Sequence, residues 1–152
     1  DVRYQRWEFR SDAGGPGEKR GGSGVCYEAD ILVPTTWSFR AEGLDTPSGY
    51  GVLGGGFGKV GEQWVRPIDA EEFIPPKYGV RRLGPARFVA HTPGGGGWGN
   101  PFDRAPDLVL RDVRDGIVSP KGAASDYGVS ISADGRSVDM DATTELRARR
   151  SS

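Results

Sequence analysis

Few side chains in this sequence can carry chemistry. His91 is its single histidine and Cys26 its single cysteine. His91 opens the most unusual stretch, His91-Thr92-Pro93-Gly94-Gly95-Gly96-Gly97-Trp98-Gly99. Four consecutive glycines let backbone amides approach an anion or a carbonyl without side-chain obstruction. An imidazole beside them could carry a proton near neutral pH, which makes His91 the one catalytic candidate. The plainer alternative is a strand end whose backbone passes through positive φ, with Trp98 packed as a plug and His91 hydrogen-bonded to loop carbonyls.

Other motifs are weaker. Gly49-Tyr50-Gly51-Val52-Leu53-Gly54 and Gly94 to Gly99 both match G-x-G-x-x-G. A dinucleotide site needs a strand before that turn and a helix directly after it. Gly55, Gly56 and Gly58 follow the first match and Asn100-Pro101 the second, so neither opens a helix. Gly58-Lys59 lacks the earlier glycine of a P-loop, where Leu53 stands, and its hydroxyl residue, where Val60 stands. Cys26 has no cationic neighbour in sequence to favour a thiolate and reads as a packing residue. A Ser or Cys dyad with two bases lacks its second histidine, and no Gly-x-Ser-x-Gly elbow occurs.

Composition excludes further classes. Lys and Arg number 20, Asp and Glu 21, so no basic excess exists to hold nucleic acid or an anionic membrane. One histidine and one cysteine cannot supply the roughly four N or S ligands of a zinc centre. A site of carboxylate oxygens stays open by counting. No apolar run is long enough to span a membrane, and no secretory signal opens the sequence, so a cytoplasmic location is expected. Glycine accounts for 25 of 152 residues, about twice its usual share. Only 36% of residues are apolar, yet four Trp, five Tyr and six Phe are present. The expectation is a globular, loop-heavy chain with a sparse core, unlike a free-standing enzyme with a deep pocket. Its aromatic residues then fit anchors of a large obligate interface.

The elements that must position these residues are β-rich first and helical last. Val2, Tyr4 and Arg6–Phe9 alternate as a strand, as do Val25 to Val33 and Ala86 to Thr92. Trp37 to Ala41 is expected as the hairpin partner of the second strand. Leu44 to Gly61 reads as glycine loop, and Gln63 to Val80 shows no clean period. Pro106 and Asp107 open a helix that Gly116 ends, with Asp107–Arg111 and Arg111–Asp115 as i,i+4 pairs. Ser119-Pro120 opens a second helix ending at Gly128. Val129 to Ser132 is a short strand entering an Asp134-Gly135 turn. Asp141 is expected to cap a last helix, Thr143 to Arg150. The fold class expected is α+β: mainly mixed strands with long glycine-rich loops, then two or three short helices. One domain, 1–152, is expected, β-rich over 1–99 and helical over 103–152.

Several stretches taken together resemble the C-terminal end of the hydantoinase B/oxoprolinase family. Thr92 to Pro101 is similar to the family's TPGGGGYGDP. Leu108 to Gly116 resembles LVLRDVRDGLVS, and Asp126-Tyr127-Gly128-Val129 its DYGV. Arg10 to Gly17 with Arg20 to Val25 resembles RxDSGGxGxxRGGxG, and Tyr50 to Gly55 resembles WGLFGG. Ala13, Trp98 and Asn100 depart from the family's Ser, Tyr and Asp. The resemblance implies a domain equivalent to the C-terminal part of a B-type polypeptide, standing as a separate small subunit as in acetophenone-carboxylase-like complexes.

The expectation that follows is an accessory subunit of an ATP-dependent ketone carboxylase, not catalytic alone. Such an enzyme joins ketone and bicarbonate into a 3-oxo acid. A cyclic-amide hydrolase of hydantoinase or oxoprolinase type is the alternative, and a free-standing β-rich binding module the third. ATP and a divalent metal are then expected on partner subunits, with none held by this chain alone. Larger hydantoinase A-type and B-type subunits are the expected partners in a hetero-oligomer. Arg10, Asp12, Gly14, Gly15, Thr92, Gly94, Gly95, Gly96, Gly97 and Trp98 are the candidate binding or interface positions.

Overall fold

The computed structural model describes residues 1–149. Six strands precede three helices, and a two-stranded hairpin sits between the last two helices. The strands are β1 (Val2–Phe9), β2 (Val25–Ile31), β3 (Thr35–Arg40), β4 (Glu62–Pro67), β5 (Tyr78–Leu83) and β6 (Ala86–His91). A 3-10 turn, Pro101–Asp103, leads to α1 (Pro106–Arg114) and α2 (Pro120–Tyr127). Then come β7 (Ser130–Ile131), β8 (Val138–Asp139) and α3 (Met140–Ala148). The expected mainly-β architecture with a helical end is what the chain forms.

The main sheet is antiparallel in the order β1-β2-β6-β4. Its register sets Trp7 opposite Tyr27, Tyr27 opposite Ala90, and Ala90 opposite Gln63. Val2, Tyr4, Tyr27, Ala29, Phe88 and Val65 therefore share one face, because residues directly opposite on paired strands point the same way. The β3–β5 ribbon closes part of that face. Phe39, Val65 and Ala86 are buried there, with Trp37, Phe73, Leu83 and Phe88 packed around them.

Two strand expectations need correction. β3 pairs with β5 and not with β2, whose two hydrogen-bonding edges are taken by β1 and β6. The region from Gln63 to Val80 contains all of β4 but its first residue, and the start of β5. In β4 the buried positions are Gln63 and Val65. A polar residue at a buried position hides the alternation that marks a strand.

The helical end has its own core of Val109, Val118, Ala123, Tyr127 and Val129. Ser119 caps α2 through its side chain and Gly128 ends it at φ 61°, as the sequence indicates. Gly116 takes φ 72° after α1 and Gly135 takes φ 70° in the hairpin turn. The last helix starts earlier than expected. Asp139, not Asp141, caps it by accepting from the amide of Ala142 at 3.0 Å. Arg150 lies outside the described residues. Neither Asp107–Arg111 nor Arg111–Asp115 forms an ion pair among the described residues. The buried acid of α1 is Asp112, held by Arg104 at 2.9 Å and by Arg20 at 3.4 Å.

Candidate functional site

The glycine stretches join the two cores. Residues 13–17, 21–24, 49–58 and 94–99 run past one another, the third turning at Leu53 and Gly54, and are linked by main-chain hydrogen bonds. Gly94 donates to Lys59, Gly95 to Gly22 and Gly97 to Gly56. Gly15 donates to Gly95, and Gly56 to Pro16. A methyl group on Gly94 would fall on the carbonyl of Ala13, and one on Gly97 on the carbonyl of Pro16. Backbone approaches this close admit only glycine. Gly94 to Gly97 do not take positive φ, and in this run only Gly99 does, at 73°. The run therefore needs glycine for proximity and not for left-handed backbone, which corrects the expectation of positive φ. The amides of Gly94, Gly95 and Gly97 are engaged, so they do not form a phosphate cradle.

Asp12 takes φ 56°, and its Oδ1 accepts from the amide of Ser119 at 2.7 Å. That bond ties the first glycine segment to the start of α2. Thr92 Oγ1 accepts from the amide of Val25 at 2.7 Å and closes the end of the β2–β6 pair. Trp98 is not a buried plug, being 40% exposed, with the Lys19 ammonium 4.8 Å above its ring.

Arg10 and His91 are brought together through a residue that sequence reasoning missed, Glu62. His91 Nδ1 is 3.1 Å from Glu62 Oε2, and Arg10 Nη2 is 3.3 Å from the same oxygen. Arg10 Nη1 also donates to the carbonyls of Val60, at 2.5 Å, and Thr92, at 3.3 Å. The ring of His91 stands edge-on to Trp64 at 5.2 Å. Its partner is thus a carboxylate and not the loop carbonyl expected. Cys26 faces His91 across β2 and β6, as Glu62 does across β4 and β6. No thiol–imidazole hydrogen bond forms among the described residues, and Cys26 is 8% exposed. The row has the residue types of a nucleophile, base and acid, without the nucleophile–base contact that such chemistry uses. Glu62 escaped notice because β4 itself did.

Beside this cluster opens a cleft of about 570 Å³. Tyr27, Trp37 and Phe88 wall it, and Gln63, Glu62 and His91 line one end. Gln63 Nε2 and Trp37 Nε1 are buried without a hydrogen-bond partner. Among the described residues no group of three or more His, Cys, Asp or Glu could hold a metal ion. No described helix is long and apolar enough to cross a membrane.

Residues 1–101 match the family model of hydantoinase B/oxoprolinase. The chain belongs to that family. It is 34% identical over 149 residues to the B subunit of a D-/L-hydantoinase from Pseudomonas sp. (strain NS671), covering 96% of this chain and 25% of the relative. It is 37% identical over 155 residues to the beta subunit of caprolactamase from Pseudomonas jessenii, covering 97% of this chain and 26% of the relative. The acetophenone carboxylase delta subunit of Aromatoleum aromaticum (strain EbN1) is 41% identical over 59 residues, covering 39% of this chain and 9% of the relative. The crystal structure of ATP-dependent caprolactamase from Pseudomonas jessenii superposes with a TM-score of 0.72 at 33% identity, covering 97% of this chain and 26% of that one. Nucleotide-free acetone carboxylase shares the fold, with a TM-score of 0.76 at 23% identity, covering 98% of this chain and 24% of that one. The chain thus spans about a quarter of the length of the family members it matches end to end.

Proposed function

We propose that this chain is an accessory module of an ATP-dependent, multi-subunit enzyme that acts on a carbonyl compound. In that enzyme it braces the assembly and leaves ATP, a divalent metal and the bond-making groups to larger A-type and B-type polypeptides in the cytoplasm. The observation that carries this reading is coverage: 96% and 97% of the chain match hydantoinase and caprolactamase polypeptides about four times its length. The glycine run supports it, because its amides are spent on neighbouring carbonyls and hold the β and helical cores together.

Ring opening of a cyclic amide is the chemistry that coverage favours. Ketone carboxylation is the second reading, favoured by the match of 41% over 59 residues to an acetophenone carboxylase subunit. The chemistries differ in their co-substrates. The purified complex is assayed for ATP hydrolysis with a lactam or hydantoin, and separately with a ketone plus bicarbonate. Amide-dependent hydrolysis without bicarbonate is expected. Ketone-dependent consumption of bicarbonate selects the second reading. Activity of a complex lacking this chain at the full rate would remove the chain from the enzyme.

A further inference from the structure

We infer that the uncovered aromatic face of β1 and β2, together with the cleft beside it, is the surface on which a larger B-type polypeptide packs. The inference rests on the accessory reading above and names the surface that reading requires.

All eight residues of β1 are exposed, and β1 is the end strand of the main sheet. Its inward-facing side chains are apolar: Val2 is 55% exposed, Tyr4 61%, Trp7 65% and Phe9 63%. Their rings do not stand alone. Tyr4 meets Trp7 edge-on at 5.4 Å, Trp7 stacks on Tyr27 at 5.5 Å, and Tyr27 meets Phe88 at 5.7 Å. Phe88 then meets Trp37 at 6.0 Å. One ladder of rings therefore runs from the buried core under β3 to open solvent over β1. The β3–β5 ribbon covers one half of a single apolar face and leaves the other half bare.

The bare half is on the order of 500 Å², near the upper end of what monomers expose. It is also uncharged. The charges of these strands lie on the opposite face, where Arg6 pairs with Glu8 and Glu28, and Arg87 with Asp30. The occupant is accordingly apolar. A register shift between Tyr4 and Arg6 interrupts the strand. A bulge of that kind blunts an edge against strand addition, so the occupant packs on the face and not along the edge.

Two copies of this chain set face to face would bury on the order of 1,000 Å² in total, short of a stable interface. A larger polypeptide can cover the face and also fill the cleft, to whose lining Val2 and Tyr4 contribute. In family members about three quarters of the B-type polypeptide lies outside the part that this chain matches, and that remainder is large enough to cover the face.

The test places the photoreactive residue p-benzoylphenylalanine at Trp7 in the full chain, within the complex purified from its own cells. Irradiation is expected to join it to the B-type polypeptide, identified by peptide mass spectrometry. The same residue at Ile68, which is 74% exposed and off this face, is expected to give no such product. The paired change Tyr4→Ser and Trp7→Ser is expected to weaken assembly at least about thirtyfold, while the chain keeps its circular-dichroism spectrum. A Trp7 product with a second copy of this chain overturns the inference. So does an intact, active complex in which Trp7 gives no B-type product or the paired change leaves assembly unaltered. Those results leave the accessory reading standing. A Trp7 product in a complex without ATP-dependent turnover has the reverse meaning.

Discussion

His91 Nδ1 lies 3.1 Å from Glu62 Oε2, on strands whose register sets the two residues directly opposite. The pair is half exposed, with 27% and 47% of the side chains accessible. Pairs this wet contribute about 1 kcal/mol or less. Arg10 differs, since its side chain is only 14% exposed and it holds two loop carbonyls besides Glu62. The cluster is thus a brace on the start of the glycine run, with His91 its outer and less costly member.

His91→Gln is expected to lower stability by about 1 kcal/mol, as for one lost hydrogen bond. Turnover per assembled complex should fall by less than about tenfold, below the range for lost acid–base catalysis. Arg10→Met should cost more, about 1–3 kcal/mol, because it strands two half-buried carbonyl acceptors. Thermal melts and turnover on the same purified variants decide the matter. A hundredfold loss of rate in an intact His91→Gln complex would make the imidazole a proton carrier.

The glycine run predicts a position-specific pattern. Gly94→Ala and Gly97→Ala put a methyl group onto a facing carbonyl and should disrupt folding, at a cost above about 4 kcal/mol. Gly95→Ala should be milder, because its nearest neighbour is the Gly22 amide nitrogen at 3.1 Å. Yields and melting temperatures of the three variants give the comparison. Equal tolerance at all three would mean that the segments are not packed as closely as described.

The sequence showed the first two helices and the hairpin turn with good boundaries because their signals are local. Ser119, Gly116, Gly128 and Gly135 each perform the cap or turn that their residue type favours. What it could not show was which strands pair. The partner of β3 lies beyond a long glycine loop, and nothing near Trp37 distinguishes Tyr78–Leu83 from Val25–Ile31. The glycine run was visible as unusual, yet its purpose depends on Ala13, Pro16 and Lys59, all distant in sequence. Glu62 stayed hidden for a related reason, since only the register of β4 against β6 sets it beside His91.

Asp112 offers a test of how the glycine layer is tied to the helices. It is 4% exposed and accepts from Arg104, which is 8% exposed and also donates to the Glu18 carbonyl at 2.9 Å. Arg20 approaches the same carboxylate from the glycine side. Asp112→Asn leaves two guanidinium groups without their counter-ion and should cost about 3–5 kcal/mol. Asp112→Asn combined with Arg104→Met should recover part of that loss, since it removes one stranded charge. Denaturant titrations of the single and paired variants measure it. Additive losses would show that the two side chains do not act through each other.

Alkaline pH acts on Tyr127, which is 2% exposed at the centre of the helical core. Burial pushes its phenol up to about 12 from an ordinary 10.0. Arg104 and Arg20 act against that rise but do not cancel it. A raised pKa means that the folded chain holds the proton more tightly than the unfolded chain does. The resulting stability is fully present below pH 10 and is lost as pH climbs from 10 through 12. The shift corresponds to roughly 2–3 kcal/mol. The wild-type chain should therefore lose stability steeply across that window. Tyr127→Phe removes the ionisable group while keeping the ring, so its stability should fall less over the same range. Denaturation midpoints at a series of pH values for both proteins make the comparison. Parallel curves would show that ionisation of Tyr127 is not what opens the helical core.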